Sequence, residues 1–147
     1  MKSLIVRKME KEDIPQVMEI EEQCFSVPWT EEAFTMEVEQ NKLARYVVAE
    51  LEGRIVGYGG IWLILDEAHV TNIAIDPDYR GRKYGDQLVE AMIALTEKEG
   101  INNMTLEVRA SNYVAQRLYE KYGFKACGIR PKYYQDNHED AVIMWRV

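Results

Sequence analysis

Cysteine is scarce in this sequence: Cys24 and Cys127 are the only two, and no C-x-x-C spacing joins them. One bridge between such distant positions would not make the disulfide framework of a small secreted domain, so both read as reduced thiols of a cytoplasmic protein. A Cys24 nucleophile paired with His138 stays open on paper, beside the simpler reading of Cys24 as a small apolar residue near a helix end. Serine occurs only at Ser3, Ser26 and Ser111, none within G-x-S-x-G, so a hydrolase elbow is absent. His69 and His138 lack H-E-x-x-H spacing and a neighbouring cysteine pair, which argues against a zinc site; no metal is expected. Neither G-x-x-x-x-G-K-S/T nor G-x-G-x-x-G occurs. The longest apolar run, 56–65, is broken by Gly57, Gly59 and Gly60 and falls short of the roughly 20 residues a membrane helix needs. Residues 1–10 have no apolar core and no small-residue cleavage site, so no signal peptide is expected. Positive charge is also in deficit, with 18 Lys and Arg against 25 Asp and Glu and a net charge of −7. That balance disfavours direct nucleic-acid binding and fits a cationic acceptor such as an amine or a basic peptide.

The chain's 147 residues are one domain's worth, taken as 1–147. Residues 3–7 read as a strand and 11–25 as an amphipathic helix, with Ile14, Val17, Met18 and Ile20 in phase. Pro28-Trp29 breaks it, and Thr30 with Glu31 and Glu32 starts a second helix that runs to about Gln40. Strands follow at 44–51 and 54–65 around a Glu52-Gly53 turn, then at 68–75, stopped by Asp76-Pro77. A helix over 82–99 ends at Gly100, a strand covers 101–109, a helix covers 112–122, and strands at 124–129 and 140–147 close the chain. The order βααβββαβαββ predicts an α/β fold, one mixed, mostly antiparallel sheet of about seven strands with four flanking helices.

The most informative stretch is N-I-A-I-D-P-D-Y-R-G-R-K-Y-G-D-Q-L, 72–88. A strand ends, a short loop carries Arg80, Gly81, Arg82 and Lys83, and a helix starts at once. The start of such a helix offers unpaired N–H groups and about half a positive charge, which suits phosphates. Alone, the pattern fits an ordinary strand–turn–helix with a basic surface loop equally well.

R-G-R-K-Y-G at 80–85, with the flanking D-P-x-Y, resembles the acyl-coenzyme A pyrophosphate loop of the GNAT N-acetyltransferases. The resemblance spans essentially the whole chain. L-D-E-A (65–68), L-E-V-R-A-S-N (106–112), L-Y-E-K-Y-G-F (118–124), F-S-V-P-W-T (25–30) and the Tyr133-Tyr134 loop with E-D-A-V-I-M (139–144) resemble the RimI branch. That branch acetylates the N-terminal α-amine of small-subunit ribosomal protein eighteen. The resemblance implies the GNAT fold, acetyl-CoA as acetyl donor, and the N-terminal segment of a ribosomal protein as acceptor. Acetylation of a small free amine, such as a polyamine or aminoglycoside, and an acyl-CoA-binding module without catalysis are the alternatives.

Carried over residue by residue, Glu107 matches the family's proton acceptor and Tyr119 its proton donor. By pattern alone, Glu107 shares a polar strand face with Thr105 and Arg109 and fits a solvated surface with a Glu–Arg pair. Tyr119 sits at the edge of the apolar stripe and also fits a boundary aromatic. The backbone of Ile73, Ala74 and Ile75 matches the strand edge that pairs with pantetheine and can supply an oxyanion donor. Arg80, Gly81, Arg82, Lys83, Tyr84, Gly85 and Asp86 match the pyrophosphate loop. Asn112 matches a coenzyme A contact and is also a plausible helix N-cap. Phe25, Trp29, Tyr133 and Tyr134 match the walls of the peptide channel. Lys83 stands where the family has its first loop glycine, and a right-handed helical Lys83 would turn its side chain outward.

Overall fold

Period-two and period-3.6 patterning sorts the chain into strands and helices in the expected order. The computed structural model describes residues 3–147; Met1 and Lys2, where the signal-peptide reading begins, lie outside the described residues. The elements are β1 (Leu4–Lys8), α1 (Ile14–Cys24), α2 (Glu31–Glu39), β2 (Ala44–Leu51), β3 (Arg54–Ile64), β4 (Glu67–Ile75), α3 (Tyr84–Lys98), β5 (Asn103–Arg109), α4 (Tyr113–Lys121), β6 (Lys125–Arg130) and β7 (Ala141–Arg146). They form one 7-stranded sheet in the order β1-β2-β3-β4-β5-β7-β6. Every pairing is antiparallel except β4 with β5. No helix among the described residues is long and apolar enough to cross a membrane.

The two helix pairs cover opposite faces. Val17, Ile20 and Phe34 of α1 and α2 pack with Val48, Tyr58 and Ala74 on one face. Leu88, Met92 and Tyr119 of α3 and α4 pack with Ile61, Met104, Leu106 and Val108 on the other. Alternation along β3 and β5 sends successive side chains to these two layers. Glycine is required where the layers come closest: a Cβ on Gly59 would lie 2.5 Å from Met92 Sδ, and one on Gly60 would lie 2.3 Å from the Tyr46 ring.

Helix ends follow the local chemistry. Thr30 Oγ1 accepts the Ala33 N–H at 3.1 Å, and Asn112 Oδ1 accepts the Ala115 N–H at 3.1 Å, so both are N-caps. Gly100, at φ +82°, ends α3. Helix α3 begins at Tyr84, two residues later than the sequence pattern predicts.

Candidate active site

Strands β4 and β5 pair only at Glu67 with Asn103, Ala68 with Met104 and His69 with Thr105. Beyond that point β4 follows β3 to Ile75, while β5 follows β7 to Arg109. The sheet therefore opens between 70–75 and 106–109. A bulge contributes: Gly60 faces Asn72 and Ile61 faces Val70, leaving Thr71 as the extra residue of β4. Such a bulge adds local twist and bends the strand that carries it. On the α3 and α4 side the opening narrows to a slot of about 10 Å³ lined by Val70, Ile73, Leu106, Tyr119 and Phe124 among others.

The backbone of β4 is exposed in that opening. Asp76 N–H donates to Val56 O at 2.8 Å. By antiparallel alternation, residues 72 and 74 also face β3, so 73 and 75 present their peptide groups to the opening. The Ile75 carbonyl accepts Arg80 Nε at 3.2 Å and Cys24 Sγ at 3.6 Å. Ile73 offers both its N–H and its C=O. Its neighbour Ala74 turns its side chain into the α1 and α2 layer.

The loop after β4 is shaped by its own side chains. Asp76 Oδ1 accepts the Asp78 N–H at 3.0 Å, and Pro77–Tyr79 forms a single 3-10 turn. Gly81 has φ +80° and Lys83 has φ 63° and ψ 21°, both left-handed. Lys83 is thus not the right-handed helical residue that would have turned its side chain outward. This left-handed residue leads into α3, and its side chain is nonetheless exposed. No side chain caps α3 at Lys83. The first N–H groups of the helix consequently point into the loop, an arrangement that favours an anion.

The remaining loop residues are each occupied. The Arg82 guanidinium lies over the Tyr79 ring at 5.2 Å. Tyr84 packs on the small cluster of Ala49, Leu51 and Val56. Gly85 faces α4, where a Cβ would lie 3.3 Å from Leu118 Cδ2. Asp86 binds the Lys121 ammonium and accepts the Tyr122 hydroxyl at 2.9 Å, so its side chain ties α3 to α4. Lys121 and Tyr122 together hold the Asp86 carboxyl below the usual carboxylate range.

Glu107 and Tyr119 come to the opening from different layers. Glu107 alternates with Leu106 and Val108, which face α3 and α4, so it projects to the α1 and α2 side. Its Oε1 accepts Arg130 Nε at 3.1 Å. The pairing anticipated on that strand face is real, but the partner comes from β6. Thr105, expected on the same polar face, is 6% exposed and donates its hydroxyl to Met144 O at 2.8 Å. Tyr119 is 6% exposed and lies against Phe124 at 5.8 Å, within the core and not at its boundary. Its hydroxyl makes no side-chain hydrogen bond among the described residues, and the residue lines the slot. Burial pushes the phenol upward, well above the ordinary tyrosine value.

Two loops wall the α1 and α2 side. Phe25 is 37% exposed and Tyr133 49% exposed. The Trp29 ring packs on Phe34 at 5.1 Å and anchors its loop. Glu21, 2% exposed, fixes the loop from below: its carboxylate accepts Trp29 N–H at 2.8 Å and the Tyr58 hydroxyl. Burial raises the Glu21 carboxyl above its usual range, against the pull of those two donors. Opposite, burial pushes Tyr134 up to about 12, and Arg109 opposes that rise. Tyr134 is close enough to both Glu107 and Tyr119 for their charges to couple. Sequence reasoning missed Glu21 and Arg109; an acid on the apolar stripe of α1 was the only signal for the first. A cavity of about 490 Å³ lies away from all of this, between β1, the start of β2 and the end of α2.

The acetyltransferase (GNAT) family model matches residues 14–124. The chain belongs to the GNAT acetyltransferase family. A Bacillus subtilis (strain 168) protein is 47% identical over 140 residues, covering 95% of this chain and 93% of the relative; it is named provisionally as a ribosomal protein bS18-alanine N-acetyltransferase. The Escherichia coli (strain K12) ribosomal protein bS18-alanine N-acetyltransferase is 38% identical over 143 residues, covering 95% of this chain and 94% of the relative. The crystal structure of the ribosomal-protein-S18-alanine N-acetyltransferase from Escherichia coli superposes with a TM-score of 0.89 at 36% identity, over 98% of this chain and 93% of that one. The expected GNAT fold and family membership hold.

Proposed function

We propose that this GNAT domain, spanning 1–147, transfers acetyl from acetyl-CoA to the N-terminal α-amine of a protein, the N-terminal alanine of ribosomal protein bS18 being the leading acceptor. The observation that carries the reading is the divided opening between β4 and β5, with Glu107 reaching it from one face of the sheet and Tyr119 from the other. The relatives' names supply the acceptor. The acidic balance of the chain, −7, suits a basic N-terminal segment. A ribosomal-protein acceptor fits a cytoplasmic enzyme.

Acetyl-CoA supplies an activated thioester; the chain's own groups do the rest. Backbone N–H groups of 81–86, with Arg80, Arg82 and Lys83, would receive the pyrophosphate at the start of α3. The peptide groups of Ile73 and the N–H of Ile75 would align the pantetheine arm and offer a donor to the oxyanion. Asn112, already engaged as the N-cap of α4, would meet coenzyme A from the head of that helix. An α-amine has a pKa of about 7.7–8.0, so a useful fraction is neutral at cellular pH. The amine nitrogen forms the new C–N bond from the α1 and α2 side, and Glu107 takes its proton. The C–S bond breaks toward the α3 and α4 side, and Tyr119 gives its proton to the leaving thiolate. The raised proton affinity of Tyr119 keeps it loaded as a donor. Phe25, Trp29, Tyr133 and Tyr134 form the channel walls for the incoming N-terminus.

The test is direct. The protein is incubated with acetyl-CoA and a panel of peptides with different N-termini, together with spermidine and an aminoglycoside. The modified atom is then found by mass spectrometry. Acetyl on the α-nitrogen of the alanine peptide supports the proposal; turnover on free polyamine alone overturns it.

A further inference from the structure

The two channel walls are separate in sequence, yet a hydrogen-bond chain that starts at Arg109 connects them. Arg109 lies two positions beyond Glu107 on the same strand and faces the same side. Its guanidinium donates to Asp136 Oδ2 at 2.8 Å, Asn137 Oδ1 at 3.2 Å and Glu139 Oε1 at 3.3 Å, all in the connection from β6 to β7. Asp136 Oδ2 also accepts the Ser26 hydroxyl at 2.5 Å, from the connection between α1 and α2. Glu139 in turn accepts the Ser111 N–H at 2.6 Å. The same guanidinium lies over the Tyr134 ring at 4.0 Å, and Tyr133 stands edge-on to that ring at 5.1 Å. The guanidinium thus holds one loop and one aromatic wall directly, and reaches the other loop through Asp136.

Resting on the functional reading above, we propose that Arg109 is a positioning residue of the acceptor channel. It fixes Tyr134 beside Glu107 and orients Asp136, whose carboxylate ties the loop at 131–140 to Ser26 of the loop at 25–30. The chemistry of the site requires the arrangement. A guanidinium beside a channel that receives an amine would repel the protonated acceptor. Asp136 and Glu139 neutralise it and leave a net negative charge. A lysine could supply the charge but neither the fork that meets several acceptors at once nor the flat face that stacks on a ring. Arg109 touches neither the phosphate loop nor β4, so its effect is confined to the acceptor.

The experiment compares the full-length wild type with Arg109→Lys, Arg109→Gln and Asp136→Asn on an alanine-initiated peptide, measuring kcat and both KM values. Positioning predicts an acceptor KM raised about tenfold or more in all three variants. It also predicts that kcat and the acetyl-CoA KM hold within about threefold, with Arg109→Lys no better than Arg109→Gln. Hydrogen exchange should quicken across 25–30 and 131–140 and stay unchanged at the start of α3. An unchanged acceptor KM, recovery by lysine, or a parallel rise of both KM values with general loosening overturns the inference. Should the wild type acetylate only spermidine, the protein-acceptor reading fails. The exchange comparison then decides the Arg109 role: unchanged exchange in the two loops overturns it, and selective loosening there supports it.

Discussion

Glu107 and Tyr119 face one opening in the sheet from opposite sides: Glu107 on the layer of α1 and α2, Tyr119 within the layer of α3 and α4. A direct transfer needs this separation. In the proposed transfer the amine would lose its proton where it arrives and the thiolate would gain one where it departs, with neither group competing for the other's partner.

Tyr119→Phe removes only the hydroxyl. Turnover should fall by about 10²–10⁴-fold with acetyl-CoA. The defect should shrink with an acetyl thioester of a more acidic thiol, because such a thiolate leaves without protonation. Steady-state rates with the two donors check this; an equal defect with both would remove Tyr119 from the acid role.

Lys83 occupies a left-handed position that costs a residue with a side chain about 1–2 kcal/mol. Lys83→Gly should therefore stabilise the fold by up to about 1 kcal/mol, net of the extra freedom glycine gives the unfolded chain. The exposed side chain makes acetyl-CoA affinity hold within a few fold. Urea unfolding and calorimetry read the two effects. A loss of affinity that weakens with salt would mean the ammonium meets a phosphate; a large gain would mean that it obstructs one.

Cofactor affinity should reside in the pyrophosphate. Coenzyme A and acetyl-CoA should bind within about tenfold, or about 1.4 kcal/mol, of each other by calorimetry. A pantetheine fragment lacking phosphates should bind far more weakly. Tight binding of that fragment would move the anchor from the start of α3 to β4.

Buried Glu21 gives the loop at 25–30 a pH signature. Its carboxyl holds its proton more firmly in the folded chain than in the unfolded one. That contribution to stability is full below the unfolded value of about 4.3 and is lost as pH rises through the raised folded value. The stability advantage of wild type over Glu21→Gln should accordingly shrink as pH rises above about 4. Glu21→Ala strands the Trp29 N–H and the Tyr58 hydroxyl and should cost about 1–3 kcal/mol for each. Urea titrations across pH measure both; a difference independent of pH would contradict the assignment.

Much of this is legible in the sequence for local reasons. Thr30 and Asn112 announce their helices because an N-cap acts within three residues. Alternation in M-T-L-E-V-R places Glu107 opposite Leu106. The features that escape are those set by distant partners. The parting of β4 from β5 accompanies a bulge at Thr71, and Lys83 is left-handed where the chain enters α3. Tyr119 is buried because Phe124 folds back on it, and Thr105 because Met144 accepts its hydroxyl. Arg109 gains its role from loops that no local pattern brings together.

The most direct measurement is the pH–rate profile of Glu107→Gln on a peptide beginning with alanine, with acetyl-CoA saturating. The amide keeps the shape of the side chain but cannot take the amine's proton. Turnover should fall by about 10²–10⁴-fold near neutrality, and the defect should narrow toward about pH 9 as neutral amine and hydroxide take over, with acetyl-CoA affinity unchanged. Near wild-type turnover from about pH 6 to about pH 9 would contradict the account and leave Glu107 as the ion-pair partner of Arg130 alone.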